Sequence, residues 1–464
     1  MVTDELTEFH IPSEGTRAWW IPAREWRRYE YRYRETGLDA MRTIHTPATF
    51  QLGAGTYLAI HEAALADYSG MALHKDRVNI FEAALAPASD GSKATLTLPF
   101  HTPWRTVTVS DGPEGLADSD LVLNLNEPNV LGDVSWVRPG KYMGIWWGIN
   151  LRHQTWGPGP LHGATTENAT ELVRFAAESG IEHVLVEGWN QGWSAGLGSA
   201  GEEMDFDAPL EDFDTDAVTD FARQRKVRLM GHHETFGAMS NYAEQMDEAF
   251  AYYEKRGVRY MKQGYVCDAG EVQRVDAAGH TFFEYHDGQF AVQHHVAALK
   301  SAAEHHLGLI IHEPVDPTGL RRTYSNLMAS EGVRGMEYDA WNVPLNPPEH
   351  TTILPFTRGL AGPIDYNPGI FDLTPNVGYA GPVADYANDP RARPQTTLAK
   401  QLALYVVLFS PLQMVPDLPE NYRSYPEASR FVREVPTNWE KSRTMDAEIG
   451  DYVVVARQAR DGGD

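Results

Sequence analysis

The sequence is poor in cysteine and in lysine. Cys267 is the single cysteine among 464 residues, which excludes a disulfide framework and any zinc or iron–sulfur site built from several cysteines. Acidic residues number 64 against 39 basic ones, for a formal charge of −25. Because contact with a phosphate backbone needs clustered basic side chains, this balance argues against nucleic acid as a partner.

Long apolar runs are also missing. No stretch reaches the 18 or more apolar residues that a membrane span requires, and the first residues, Met1-Val2-Thr3-Asp4-Glu5, lack the basic and apolar parts of a signal peptide. The composition, with 42% hydrophobic residues, is that of a globular protein. We expect no membrane span, and either a cytosolic protein or a chain whose natural start lies upstream.

The N-terminal region has the pattern of a β-sandwich. Short alternating segments separated by turn residues predict strands at residues 57–64, 94–100, 106–110 and 121–125. Asp90-Gly91 and Asp111-Gly112-Pro113 provide turn chemistry between them. We assign residues 1–138 to an N-terminal β-sandwich domain and expect it to be truncated at its start.

From residue 139 the pattern changes to apolar runs that alternate with helical periods, which predicts a parallel α/β structure. Eight strands are predicted, at 142–148, 183–187, 227–232, 259–264, 307–313, 332–337, 362–366 and 406–415. Helices are predicted at 166–179, 214–224, 242–256, 290–306 and 398–405. This order predicts a (β/α)8 TIM barrel over residues 139–440.

After the barrel, a helix is predicted at 427–434 and a strand at 451–457. A lone terminal strand cannot bury both faces. We therefore expect residues 441–464 to begin a C-terminal β domain that is truncated.

Carboxylates and imidazoles cluster at the ends of the predicted barrel strands, which meet at one mouth in this fold. They occur in Glu187-Gly188-Trp189-Asn190, His232-His233-Glu234, His312-Glu313-Pro314 and at Glu337, while Lys262 lies in the fourth strand. Like charges in one cavity repel, and a calcium ion bound by carboxylates would neutralise them. Glu127 and Glu331 are further candidates for such a site.

Paired carboxylates also suit glycoside hydrolysis, which needs a proton donor and a base or nucleophile on opposite faces of the sugar. Tryptophans at positions 146, 147, 156, 189 and 193 offer flat apolar faces for sugar rings. Each residue alone has a simpler interpretation. A glutamate at a strand end can cap a helix or form an ion pair, and the three histidines can be core residues or zinc ligands. The tryptophans can be core residues, and Glu127 can be part of a turn.

Taken together, the motifs resemble glycoside hydrolase family 97, in particular its inverting, calcium-dependent α-glucosidase branch. They are the segments LNLNEP (123–128), GIWWG (144–148), HGATTEN (162–168), VEGWN (186–190), HHET (232–235), KQGY (262–265), HEP (312–314), GME (335–337) and PFTR (355–358). The resemblance runs through nearly the whole chain and implies a sandwich, a catalytic barrel and a C-terminal β domain.

The resemblance also implies residue roles in the cleavage of terminal α-glucosidic bonds of malto-oligosaccharides. Glu337 would be the general acid, and Glu234 and Glu313 would hold and deprotonate the attacking water. Calcium would be bound by Glu127, Glu313, Glu331 and Glu337. The substrate-binding residues would be Glu187, Trp189, His232, Lys262 and His312.

Inversion follows from the presence of both base glutamates, since the family's retaining α-galactosidase branch lacks them. Carboxyl groups roughly 6.5–9.5 Å apart leave room for the water. Three alternatives stay open: an α-galactosidase or other α-glycosidase on the same scaffold, a non-catalytic carbohydrate-binding homologue, and a metallohydrolase of another bond. The family resemblance further implies export to a bacterial periplasm, and the sequence does not predict the oligomeric state.

Overall fold

The computed structural model describes residues 1–25, 29–53, 55–341, 344–375 and 393–460. The first part forms nine strands: β1 Glu8–His10, β2 Arg17–Trp20, β3 Arg34–Thr36, β4 Thr43–Ile44, β5 Ala48–Leu52, β6 Thr56–Ala63, β7 Met71–Arg77, β8 Ile80–Leu85 and β9 Trp104–Ser110. They make two antiparallel sheets, ordered β1-β8-β7-β4 and β3-β2-β5-β6-β9. Side chains of both sheets share one core, where the rings of Phe50 and Phe81 lie 5.7 Å apart. The predicted sandwich is confirmed.

Two of the four strands predicted here are wrong. Residues 121–125 form α2 Leu121–Asn124, which follows α1 Pro113–Ala117. So short an apolar run does not distinguish a strand from a helix by its period. In 94–100 the described structure has only an isolated bridge between Ala94 and Val2, and Pro99 cannot donate to a ladder.

The barrel region contributes β10 Gly140–Gly144, β11 His183–Leu185, β12 Arg228–Glu234, β13 Tyr260–Gly264, the hairpin β14 Val272–Val275 and β15 Thr281–Glu284, then β16 Gly308–Ile311, β17 Leu327–Ser330 and β18 Leu412–Met414. Seven of these pair in parallel in the order β17-β16-β13-β12-β11-β10-β18. Ile364 forms a parallel bridge with Ser330, and its amide donates to the carbonyl of Phe409 (3.0 Å). The segment around Ile364 therefore occupies the eighth position between β17 and β18.

Helices surround this sheet: α3 Trp146–Asn150, α4 Thr166–Ser179, α5 Thr215–Gln224, α6 Met239–Lys255, α7 Gln289–Glu304, α8 Tyr338–Trp341, α9 His350–Ile353, α10 Leu398–Val407, α11 Pro419–Ser424 and α12 Pro426–Glu434. Short 3-10 turns lie at Leu38–Ala40, Gly196–Gly198, Gly201–Glu203, Leu320–Arg322, Leu354–Phe356 and Arg358–Ala361. The Thr165 side chain caps α4 by accepting from the Asn168 amide (3.2 Å), and Gly180 ends the helix at φ +69°. No described helix is long and apolar enough to cross a membrane.

The predicted sixth strand at 332–337 is wrong, because the strand is β17, five residues earlier. Gly332 adopts φ +57°, a conformation that ends the extended chain and suits glycine. Glu331 therefore directly follows the carboxyl end of β17, and Glu337 lies in the following loop, directly before α8. The first and last predicted barrel strands are shorter than expected, since α3 and α10 take part of each.

The predicted strand at 451–457 has a partner, which corrects the expectation of a lone strand. β20 Tyr452–Ala459 pairs with β19 Trp439–Glu448 as an antiparallel hairpin. β19 also contacts α1, where the Ala447 amide donates to Glu114 (3.1 Å). Residues 461–464 of the predicted C-terminal domain lie outside the described residues, and the boundaries of the three predicted domains stay predictions.

Candidate active site

The catalytic candidate Glu234 ends β12 and lies in register with Gly264, the last residue of β13. A Cβ atom at position 264 would lie 1.9 Å from Oε2 of Glu234. A larger residue at position 264 would therefore displace this carboxyl group, which belongs to a residue only 5% exposed. The pairing of the two strands thus creates the pocket for Glu234.

The carboxyl groups of Glu234 and Glu313 are held by two adjacent backbone amides. Glu234 Oε1 accepts from Val266 (3.0 Å), and Glu313 Oε2 accepts from Tyr265 (2.9 Å). Burial and the charge of Glu313 raise the pKa of Glu234 to about 8. Glu313 itself adopts φ +45°, a rare conformation for a residue other than glycine and one that occurs at functional sites. The structure brings these two predicted residues together.

Glu187 and Lys262 form a buried ion pair at 2.9 Å. Trp156 Nε1 donates to the second oxygen of Glu187 (3.0 Å). Burial opposes the charge of this carboxylate, but the Lys262 ammonium outweighs it and lowers the pKa of Glu187 to about 2. Two polar residues predicted to bind sugar are therefore adjacent and charged.

His232 lies next to this pair. Burial lowers its pKa to about 4, so its imidazole is neutral at neutral pH. Within the described part of the chain, its Nδ1 atom is buried without a hydrogen-bond partner. A buried ring nitrogen without a partner costs free energy unless a ligand satisfies it, which agrees with a substrate-binding role.

His312 occupies a different environment from the one expected. Its Nε2 atom lies 2.7 Å from Asp365 and its Nδ1 atom 3.3 Å from Glu331. Burial opposes protonation, but the charge of Glu331 raises the pKa of His312 well above its usual value. Both ring nitrogens face carboxylates in this arrangement, which differs from the sugar contact expected from the resemblance.

Asp365 was not among the predicted site residues, and it also accepts a hydrogen bond from the hydroxyl of Tyr142 (2.9 Å). The residue is 2% exposed. Its position in the predicted strand 362–366 was the available signal, because it is the only acidic residue of an otherwise uncharged run.

A group of three carboxylates lies at the same end of the barrel. Oxygens of Glu30, Glu313 and Glu331 lie within 4.8 Å of one another. Two oxygens bound to one calcium ion at roughly 2.3–2.6 Å lie at most about 5 Å apart. The three side chains therefore fit a single hard cation.

Glu30 was not among the predicted ligands, and Glu127, which was, does not lie in this group. The Glu127 side chain is exposed. Its carbonyl accepts from Thr323 (2.7 Å), a residue that precedes β17, whereas Glu331 follows the carboxyl end of that strand. The loop of Glu127 therefore contacts the segment before β17, near the amino end of that strand, whereas the carboxylate group lies at the carboxyl end. This position corrects the predicted ligand set.

Glu337 is 6% exposed and lies close to the carboxylate group. Burial, then the charges of Glu331 and Glu30, raise its pKa well above the usual value. These effects favour the protonated form of the carboxyl group. Tyr338, the next residue, donates to Glu30 (2.5 Å), which connects the loop of Glu337 to the N-terminal domain.

Trp189 is not available as a sugar platform. It is 2% exposed, its ring stacks on Tyr252 (5.7 Å), and its Nε1 atom donates to the carbonyl of His232 (3.0 Å). Trp146, Trp147 and Trp193 are buried as well. Of the five tryptophans, Trp156 is partly exposed and contacts the Glu187 pair.

Solved structures and curated sequences resemble the chain over nearly its full length. A glycoside hydrolase family 97 enzyme from Pseudoalteromonas sp. strain K8, in complex with acarbose, is 50% identical with a TM-score of 0.94, and the match covers 99% of this chain and 68% of that one. A variant of an enzyme of this family from the same strain, in complex with panose, matches equally well.

Among curated proteins, the retaining α-galactosidase of Bacteroides thetaiotaomicron is 28% identical over 91% of this chain. The probable retaining α-galactosidase of Streptomyces bingchenggensis is 25% identical over 98%. The chain spans 61% and 62% of the length of these relatives.

Two family models match as well. The glycoside hydrolase 97 model matches residues 146–333, and the glycosyl-hydrolase 97 N-terminal model matches residues 1–128. With the 50% identity to a solved member, these matches show that the chain belongs to glycoside hydrolase family 97.

Proposed function

We propose that the protein hydrolyses terminal α-glucosidic bonds of malto-oligosaccharides with inversion at the anomeric carbon, and that calcium is its metal ion. The observation that supports this most strongly is the pair of carboxylates, Glu234 and Glu313, on the amides of Val266 and Tyr265. A retaining mechanism uses one carboxylate as the nucleophile, whereas an inverting one needs a base that positions water.

In the proposed mechanism Glu337 is the general acid. Burial, the largest cause of its raised pKa, favours the protonated form that the leaving oxygen needs. Glu234 and Glu313 bind the attacking water. Because the pKa of Glu234 is raised to about 8, the pair shares a proton before the reaction, and its ionised member accepts the proton of the water as the bond to the anomeric carbon forms. The proposal requires Glu337 to lie about 6.5–9.5 Å from the two bases.

The Glu187–Lys262 pair and the neutral His232 are proposed to bind the non-reducing-end sugar. A charged pair at 2.9 Å offers strong acceptors and donors to sugar hydroxyls. His232 offers the unpaired Nδ1 atom. In contrast, His312 is proposed to hold Glu331 and Asp365 rather than the sugar.

Calcium is proposed to bind Glu30, Glu313 and Glu331, with Glu337 beside them. Glu30 replaces Glu127 in the predicted set because its oxygens lie within 4.8 Å of those of the other two. A bound divalent cation would supply positive charge next to the leaving oxygen. Substitution of one of these carboxylate ligands and removal of the metal should therefore both slow the departure of the leaving oxygen.

The relatives support different specificities. The enzyme from Pseudoalteromonas was solved with acarbose and in variant form with panose, and panose is a trisaccharide of α-linked glucose. The curated retaining α-galactosidases are 28% and 25% identical, and their names favour retaining α-galactosidase as the second candidate. Export to a bacterial periplasm stays a proposal from the family resemblance.

Paired nitrophenyl glycosides separate the two candidates. The proposed function predicts turnover of the α-glucoside at least about 100-fold faster than that of the α-galactoside, since the two differ only in the 4-hydroxyl that the pocket must recognise. Faster turnover of the α-galactoside would favour the second candidate. Chelation should lower activity in either case if a calcium ion is bound.

A further inference from the structure

We infer that Tyr29 is a positioning residue for the calcium site, an inference that rests on the proposed function. Tyr29 lies in the connection between β2 and β3 of the N-terminal sandwich, and it is 4% exposed. It directly precedes Glu30, the carboxylate that the N-terminal domain contributes to the group of three.

The hydroxyl of Tyr29 binds two places in the barrel. It donates to Asp287 Oδ1 (2.5 Å), next to the start of α7, and accepts from the backbone amide of Asp316 (3.0 Å). Asp316 comes three residues after Glu313. One hydroxyl therefore connects the loop that carries Glu30 to the segment that carries Glu313.

A backbone hydrogen bond between the neighbours of Glu30 holds this residue in a turn. The Tyr31 amide donates to the Tyr29 carbonyl at 2.9 Å, which closes a three-residue turn with Glu30 at its centre. The Tyr29 ring also packs 4.2 Å from the ring of His45. Glu30 is therefore fixed on its backbone side by Tyr29 and on its carboxylate side by Tyr338.

The test is calcium titration by isothermal calorimetry on the metal-free full chain. Residues that orient metal ligands typically change affinity by roughly 10–100-fold, so Tyr29→Phe should raise the calcium dissociation constant by about that factor. The melting temperature measured without calcium reports any general loss of stability separately.

Tyr260→Phe is the matched control. Its hydroxyl also bonds two groups, the amide (2.7 Å) and the carbonyl (2.5 Å) of Arg138, but Tyr260 lies at the amino end of β13. It should lose stability and keep the calcium affinity of the unsubstituted chain. Equal losses of affinity in both variants, or none in Tyr29→Phe, would overturn the inference.

The titration also separates this inference from the proposed function. An unsubstituted chain that binds no calcium would overturn the metal proposal and, with it, the role of Tyr29. If Tyr29→Phe does not fold, Asp287→Ala removes the acceptor of the same hydroxyl from the barrel side. An unchanged calcium affinity in a folded Asp287→Ala variant would contradict the inference.

Discussion

Glu234 and Glu313 accept hydrogen bonds from consecutive backbone amides, those of Val266 and Tyr265. Glu234 is the last residue of β12, Glu313 lies two residues after β16, and the two carboxyl groups meet at the residues that follow β13. The two amides belong to the residues that directly follow β13, and because backbone amides move less than side chains, the end of this strand sets the separation of the two carboxyl groups. This arrangement suits a task that needs two oxygens at a constant distance, such as holding one water.

Gly264 should be essential for this geometry. In Gly264→Ala, the added Cβ meets Oε2 of Glu234, and a displacement of about 1 Å should lower turnover by roughly 100-fold. Gly308→Ala is the matched control, since its Cβ would meet the Tyr260 ring at 2.6 Å, at the amino end of the strands. Steady-state kinetics of the two variants should differ, and equal activity would contradict the assigned pocket.

Glu337→Gln should distinguish substrates by leaving group. An alkyl or sugar leaving group needs a proton from the acid, so its turnover should fall by about 100- to 10,000-fold, whereas an activated nitrophenyl glycoside should lose far less. The comparison uses kcat/KM on both substrates. Equal losses on the two would count against Glu337 as the acid.

Glu30 and Glu127 offer a direct comparison of two ligand predictions. Glu30→Gln removes a charge from the carboxylate group and should weaken calcium binding by at least about tenfold, since calcium affinity depends on the number of charged ligands. Glu127→Gln, at an exposed position, should leave the affinity unchanged. A calcium titration that found the reverse would restore the set expected from the sequence.

The Glu187–Lys262 pair should make stability depend on pH. The folded pKa of Glu187, about 2, is depressed from 4.5, so its contribution is present above pH 4.5 and is lost as the pH falls toward 2. The full contribution is roughly 3 kcal/mol. The difference in free energy of unfolding between the unsubstituted chain and Glu187→Gln should therefore shrink over this range in urea titrations, and a constant difference would contradict the assigned pair.

The sequence predicted those elements of the fold that have a regular hydrophobic period and residues that terminate the element. Helix α4 was predicted with its observed bounds, and Thr165 and Gly180 cap its two ends in the structure. The sixth strand was displaced by five residues, because sequence alone does not show that Gly332 turns the chain.

The candidate site was predictable where residues lie within barrel strands or just after them, and not elsewhere. Glu187, Glu234, Lys262 and Glu313 were found from their strand positions. Glu30 was missed because it lies in a sandwich connection without periodicity, and its approach to Glu331 depends on how two domains pack. Trp189 was misassigned, since the pattern of aromatics does not tell a stacking platform from a core residue, and Tyr252 covers its ring.

The central claim is inversion by water held between Glu234 and Glu313, and proton NMR of the first sugar released tests it most directly. With an α-linked glucose oligosaccharide as substrate, the proposed function predicts that β-glucose appears first and that the α anomer grows only by mutarotation. Initial release of α-glucose would show retention and would contradict the roles given to both glutamates.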